Sequence, residues 1–212
     1  VYGIQAQGYD GSRPLYSVVG MAKHYSELIR AEFGLGPVHL LGGSMGGVLA
    51  VEMAKQLTLM DVQVKKVYLF DAVAKKSAGL ADRRRSISTA KLLRAAKLRV
   101  EARVFDLKVK WEFYRGRCLS NALRYEYINA VNHLALERYF SSNAFLAPYA
   151  GDVVLMRQPL KEKGIYSDKL LGWGHVLSSE PEVVYINASH EKFIEADEFG
   201  EAFRAVIGAP GV

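Results

Sequence analysis

Five residues, Gly42-Gly43-Ser44-Met45-Gly46, constrain this chain more than any others because of what flanks them. Before them stands a short apolar run of strand character, Val38-His39-Leu40-Leu41, and after them residues 48–57, rich in Ala, Leu, Met, Glu and Lys, favour helix. A strand that turns straight into a helix forces the residue at the turn into a strained backbone conformation, and side chains at the flanking positions collide. Glycine on both sides of Ser44 answers that demand. The pattern fits G-x-S-x-G. It fits neither the G-x-G-x-x-G register of a dinucleotide loop nor a Walker lysine sequence, so the competing reading is a Gly-rich turn that binds phosphate or merely turns.

The surrounding pattern repeats the alternation. Residues 2–8 read as a short strand ending at Gly8, and Tyr9-Asp10-Gly11-Ser12-Arg13-Pro14 has turn chemistry. Between 17 and 33, Val18, Met21, Ala22, Tyr25, Leu28, Ile29 and Phe33 recur at three- and four-residue steps, which predicts an amphipathic helix closed by Gly34 and Gly36-Pro37. A second apolar strand is expected over 64–70, ending at Asp71. Strand, helix, strand, helix, strand implies βαβ units, hence a mostly parallel central sheet with helices on both faces. From about 77 to 147 the pattern changes to long charged helical segments, which read as an insertion. Strand signals return at 153–156 and 183–186, and a last helix is expected over 197–207. With 212 residues, half of them apolar, we expect one domain spanning 1–212.

Charge and cysteine usage bound the setting. The net charge of +6 is concentrated between residues 81 and 117, where twelve basic residues face four acids. No run approaches the roughly 18 apolar residues of a membrane span, and the first residues lack a signal-peptide pattern, so a soluble, cytoplasmic setting is expected. The single Cys118 has no internal disulfide partner and sits in an Arg-rich stretch without nucleophile context.

A serine at such a turn is lifted above the strand ends, and the helix that follows aims its first amides and positive dipole end at a developing oxyanion. Ser44 is therefore a candidate nucleophile, with the Met45 amide as oxyanion donor. It needs a base, and the base needs an orienting acid, in the chain order Ser, acid, His. Three histidines follow Ser44. His133 falls inside a helical stretch and reads as a structural or pocket residue, and His175 precedes the last strand. His190 follows that strand by a short loop and precedes the final helix, which is where the base belongs. Two acids compete: Asp71, at a strand end, and Asp168, after the 153–156 strand. The residues alone leave that choice open.

These segments together resemble the thioesterase domains that terminate nonribosomal peptide synthetases and polyketide synthases. The likeness is carried by Val1-Tyr2-Gly3-Ile4-Gln5-Ala6-Gln7-Gly8-Tyr9-Asp10-Gly11, by the run from Gly36 to Gly47, and by Ala50-Val51-Glu52-Met53-Ala54 and Leu69-Phe70-Asp71. Gly172-Trp173 and Ser189-His190-Glu191-Lys192-Phe193 extend it to the far end. The resemblance implies an α/β-hydrolase fold with a helical lid over about 77–147, and it selects Asp71 as the acid beside Ser44 and His190. It implies an acyl-enzyme route that releases an acyl or peptidyl chain from phosphopantetheine on a carrier protein, with no bound metal or cofactor. Tyr125, His133, Tyr139 and Phe140 then become candidates for the acyl channel. The basic segment 81–117 becomes a candidate docking face for an acidic carrier, the alternative being a solvated helix face. The family has further strands ahead of the first one here and takes a second oxyanion amide from that region, so this donor is expected outside the sequence. A stand-alone editing thioesterase or esterase, and an inactive acyl-binding module on the same scaffold, are the other readings.

Overall fold

A computed structural model describes residues 1–74, 107, 121–140, 142, 147–162 and 165–208. The residues group into two compact units, Val1–Val18 with Ser77–Tyr139 and Val19–Lys76 with Phe140–Val212.

The larger unit contains a four-stranded parallel sheet in the order β1 (Val38–Gly43), β2 (Val64–Phe70), β3 (Val153–Arg157), β4 (Glu182–Tyr185). Two helices, α1 (Val18–Phe33) and α2 (Met45–Leu59), fall on either side of β1 in the chain. β3 is buried along its whole length, as expected of a central parallel strand covered on both faces. In β2 the period-2 alternation sorts the side chains: Val67 and Leu69 point one way, Tyr68 and Phe70 the other. The Leu69 side is covered by α2, which runs close enough that a methyl on Gly47 would lie 3.4 Å from Leu69 Cδ2. The Tyr68 and Phe70 side is covered by the last helix (Asp197–Gly208), whose Phe199 and Phe203 rings meet Phe70 edge-on at 4.9 and 5.4 Å. Phe193 and Ile186 join the same cluster, so the chain between them, which carries His190, is pinned at both ends by buried apolar side chains. α1 is tied to α2 by the fully buried Ser26, whose hydroxyl donates to the Met53 carbonyl.

The smaller unit pairs the N-terminal residues with α3 (Asn121–Phe140) up to Tyr139. The Tyr16 and Tyr127 hydroxyls are hydrogen-bonded at 2.8 Å, the Arg124 guanidinium donates to the Tyr9 carbonyl, and Tyr9 and Tyr125 meet edge-on. The strand expected over 2–8 does not form: residues 1–6 carry no regular structure and a turn follows. A strand needs one face buried, and here Tyr2 and Ile4 are exposed while Gly8 takes φ 105° and bends the chain. The last helix, numbered α4 below, closes the series. The basic segment 81–117 apart from Leu107, Cys118, and most of the expected lid lie outside the described residues. Among the described residues no helix is long and apolar enough to cross a membrane, and no cluster of metal-ligating side chains occurs.

Candidate active site at the carboxyl edge of the sheet

Because all four strands run the same way, their C-terminal ends share one edge, and the residues that follow each strand are delivered there together. Ser44 follows β1, Asp71 follows β2, Gln158 follows β3, and His190 lies on the loop beyond β4.

Ser44 stands between β1 and α2 with φ 50° and ψ −119°, a conformation that L-residues adopt only under strain. Its amide donates to the Phe70 carbonyl at 3.0 Å and its carbonyl accepts from Gly47, while its side chain makes no cap bond to the helix. The hydroxyl is thus left uncommitted by local structure. Helix begins at Met45, earlier than the expected 48, which places the Met45 amide in the first turn, where amides have no intrahelical acceptor. The need for glycine is distributed differently from the expectation that both motif glycines relieve a clash. A methyl on Gly42 would lie 2.1 Å from the Gly46 carbonyl oxygen, and one on Gly47 2.4 Å from Ala72 Cβ, but one on Gly46 meets nothing within 4 Å. The crowding lies at Gly42, against the main chain of α2, and at Gly47, one position beyond the motif, against the Ala72 side chain.

Asp71 is 1 % exposed and also holds a positive φ, 43°. Its amide donates to the Met156 carbonyl at 2.8 Å. The segment after it is clamped from residues 171–173: Trp173 Nε1 donates to the Ala72 carbonyl at 2.8 Å and the Ala74 amide to the Leu171 carbonyl at 2.9 Å. Gly172, at φ 86°, packs so closely that a methyl there would meet the Ala74 oxygen at 1.8 Å. Three donors converge on Asp71 Oδ2: His190 Nδ1 at 2.7 Å, Gln158 Nε2 at 2.7 Å and the Tyr166 hydroxyl at 2.9 Å. That arrangement suits a carboxylate, which only accepts. With Nδ1 bound to Asp71, His190 has Nε2 for a substrate-side proton, and its half-exposed ring can meet one.

Asp168, the competing acid, is committed elsewhere. Its carboxylate accepts the amides of Leu170 and Gly172 at 2.9 and 2.7 Å and so shapes the turn that clamps Asp71. His175 is exposed on a short 3₁₀ turn, Trp173–His175. Of the residues named for an acyl channel, Tyr125 and His133 are exposed on α3, and Tyr139 and Phe140 are buried at its end.

Gln158 and Tyr166 were not visible as site residues in the sequence. The signal for one of them was present: Arg157 extends an otherwise apolar strand, and a polar pair that ends a buried strand marks its functional edge. Burial, followed by the Asp71 carboxylate, raises the Tyr166 phenol from its ordinary 10.0 to about 12, with Arg157 opposing. The folded chain therefore holds this proton more tightly than the unfolded one. The associated stability is complete below about pH 10 and is lost as pH rises towards 12. A tyrosinate absorbance titration of the parent against Tyr166→Phe is expected to show one phenol ionising near 12, and a difference titrating near 10 would contradict this.

The thioesterase domain model matches residues 1–112 of the chain. The chain belongs to the thioesterase domain family. It is similar to the polyketide synthase PksR of Bacillus subtilis (strain 168), with 39% identity over 72 residues, 34% of this chain and 3% of that protein. Malpibaldin synthetase of Mortierella alpina is 44% identical over 75 residues, 35% of this chain and 1% of that one. The matched part of this thioesterase domain is thus a small fraction of both relatives. Among solved structures, the NocB thioesterase domain in covalent complex with a fluorophosphonate nocardicin G analogue superposes with TM-score 0.62 at 21% identity. That match covers 97% of this chain and 82% of the other. The fold is that of the α/β-hydrolase thioesterases.

Proposed function

We propose that this thioesterase domain releases acyl or peptidyl chains from a phosphopantetheine thioester through Ser44, His190 and Asp71. The observation that carries the reading is the 2.7 Å bond between Asp71 Oδ2 and His190 Nδ1, on the sheet edge where Ser44 occupies its strained turn. His190 Nε2 takes the Ser44 proton as Oγ attacks the thioester carbonyl. The oxyanion that forms accepts from the Met45 amide, and collapse expels the thiolate, which leaves with the proton from His190. The acyl-serine is then attacked by water, or by a nucleophile within the acyl chain itself. His190 removes that proton and returns it to Ser44 Oγ. No step requires a bound metal or cofactor. The match to two synthase-type relatives supports an acyl or peptidyl carrier protein as the partner that delivers substrate. The positive bias of 81–117 would steer such an acidic partner.

A fluorophosphonate probe is expected to add one adduct mass to the intact chain, located on Ser44 by peptide mass spectrometry. An unlabelled, folded chain would favour the inactive acyl-binding reading. Asp71→Asn keeps the shape of the side chain but offers an amide to the imidazole, which selects the wrong tautomer. A fall in kcat of about 10³- to 10⁴-fold is expected. A fall below tenfold, measured on an acyl N-acetylcysteamine thioester, would remove Asp71 from its role. Product masses with or without the added water separate hydrolysis from cyclisation.

A further inference from the structure

The Asp71 carboxylate has two chemically equivalent oxygens, and His190 needs one of them held in a fixed place. Oδ1 is buried and has no hydrogen-bond partner among the described residues, so the torsion of the group is decided by what binds Oδ2. Besides His190, two groups do so. Gln158 is buried and its amide arrives from the end of β3; the Tyr166 hydroxyl arrives from a 3₁₀ turn, Ile165–Ser167. The two lie within 3.5 Å of each other, so they meet the oxygen as a pair.

Tyr166 is itself held by an unusual device. Arg157 is fully buried, and its described hydrogen bonds go to main-chain carbonyls rather than to a carboxylate. Nε donates to Gln158, Nη2 to Tyr166, and Nη1 to Asp168 and Lys169. A buried guanidinium is costly unless its donors are satisfied, so Gln158, Tyr166, Asp168 and Lys169 are constrained to bring their carbonyls to it. The cation also faces the Tyr166 and Tyr185 rings, and Lys161 lies 4.6 Å from the Tyr166 ring on its own account. The charge at β3 thus fixes the turn, and the turn fixes the phenol.

We propose that Tyr166, with Gln158, is a positioning residue that locks the Asp71 carboxylate in the orientation that binds His190. The inference rests on the reading of Ser44, Asp71 and His190 as the reacting triad. Without the hydroxyl, one anchor on Oδ2 is gone, the two oxygens become closer to equivalent, and the imidazole is held in a broader set of orientations. A phenol is protonated throughout the neutral range, so Tyr166 is a donor to Asp71 there. The titratable and charged groups that face this assembly are Asp71 just after β2, Arg157 from β3, Tyr185 from β4, His190 from the loop beyond β4, and Lys161 and Tyr166 from the loop between β3 and β4.

The test compares the full chain with Tyr166→Phe, which removes one oxygen and leaves the ring. On an acyl N-acetylcysteamine thioester, kcat is expected to fall about tenfold with KM changed less than about twofold, the loss of one hydrogen bond to a charged acceptor. In a Ser44→Ala background the low-field proton resonance of the His190 Nδ1–H bond is expected to shift or broaden on adding Tyr166→Phe. A purely structural role would leave that resonance in place in the folded fraction. Gln158→Met removes the other donor, moves both readouts the same way, and carries the test if Tyr166→Phe does not fold. Unchanged kcat and an unmoved resonance in a folded variant overturn the inference alone. Undiminished turnover by Ser44→Ala overturns the triad reading and the inference with it.

Discussion

Ser44→Ala is expected to lower thioester turnover by about 10⁴-fold or more while leaving stability within about 0.5 kcal/mol of the parent. The two halves of this result come from different features of the same residue. The activity loss follows because the proposed acyl-enzyme has no other oxygen to form on. The unchanged stability follows because the hydroxyl makes no cap bond to α2, so its removal breaks no bond that holds the turn. Alanine keeps the Cβ and therefore the strain of φ 50°. Ser44→Gly separates the terms further: it removes the hydroxyl and accepts a positive φ freely, so it is expected to be as inactive as alanine and about 1 kcal/mol more stable than it. Thermal melts of the three chains beside a thioester assay check both halves. Retained turnover by either variant would sink the mechanism, and a glycine variant no more stable than alanine would remove the strain from the account.

A large loss of stability is expected from Gly42→Ala. The added methyl would sit 2.1 Å from the Gly46 carbonyl oxygen, 2.3 Å from its carbon and 2.6 Å from the Gly47 nitrogen, all of them main-chain atoms of the first turn of α2. No rotamer change relieves that clash. Either β1 and α2 separate or the turn at Ser44 reshapes, and we expect a loss of about 3–5 kcal/mol, which for a chain of this size lowers Tm by about 10 °C. Gly46→Ala is the control. Its methyl meets nothing within 4 Å and its φ is not positive, so alanine there is expected to be neutral or to stabilise by up to about 1 kcal/mol. Equal melting temperatures for the two variants would show that the glycines matter for something other than the strand-to-helix contact.

The contrast between Gly42 and Gly46 also shows where sequence reading stops. A motif written as G-x-S-x-G assigns both glycines one purpose, but crowding depends on which backbone lies across the space, and that is a property of the packed pair β1 and α2. The strand expected over 2–8 failed for a related reason. Its alternating Tyr2 and Ile4 are compatible with a strand, but alternation becomes a strand only where a face is buried, and these side chains are exposed. Where burial was certain, as in the run at 153–156 and in the helix from 18, local pattern and tertiary environment agree and the elements appear within a residue or two of expectation.

What the sequence determined by itself was the alternation of strands and helices, the strained serine between Gly43 and Met45, and His190 on the loop after the last strand. Those are local matters of periodicity and turn chemistry. It could not choose between Asp71 and Asp168 from residues alone, because both follow apolar strands and the difference lies in their partners. The tertiary structure supplies that difference: Asp71 is buried with His190 on its Oδ2, and Asp168 accepts two amides of its own turn. Tyr166 belongs wholly to the tertiary level, and so do the partners of Gln158 and of the buried Arg157, which the sequence shows only as a polar end to an apolar strand. Gln158 and Tyr166 lie 87 and 95 positions beyond Asp71, and only the packing of parallel strands brings such distant residues onto one carboxylate oxygen.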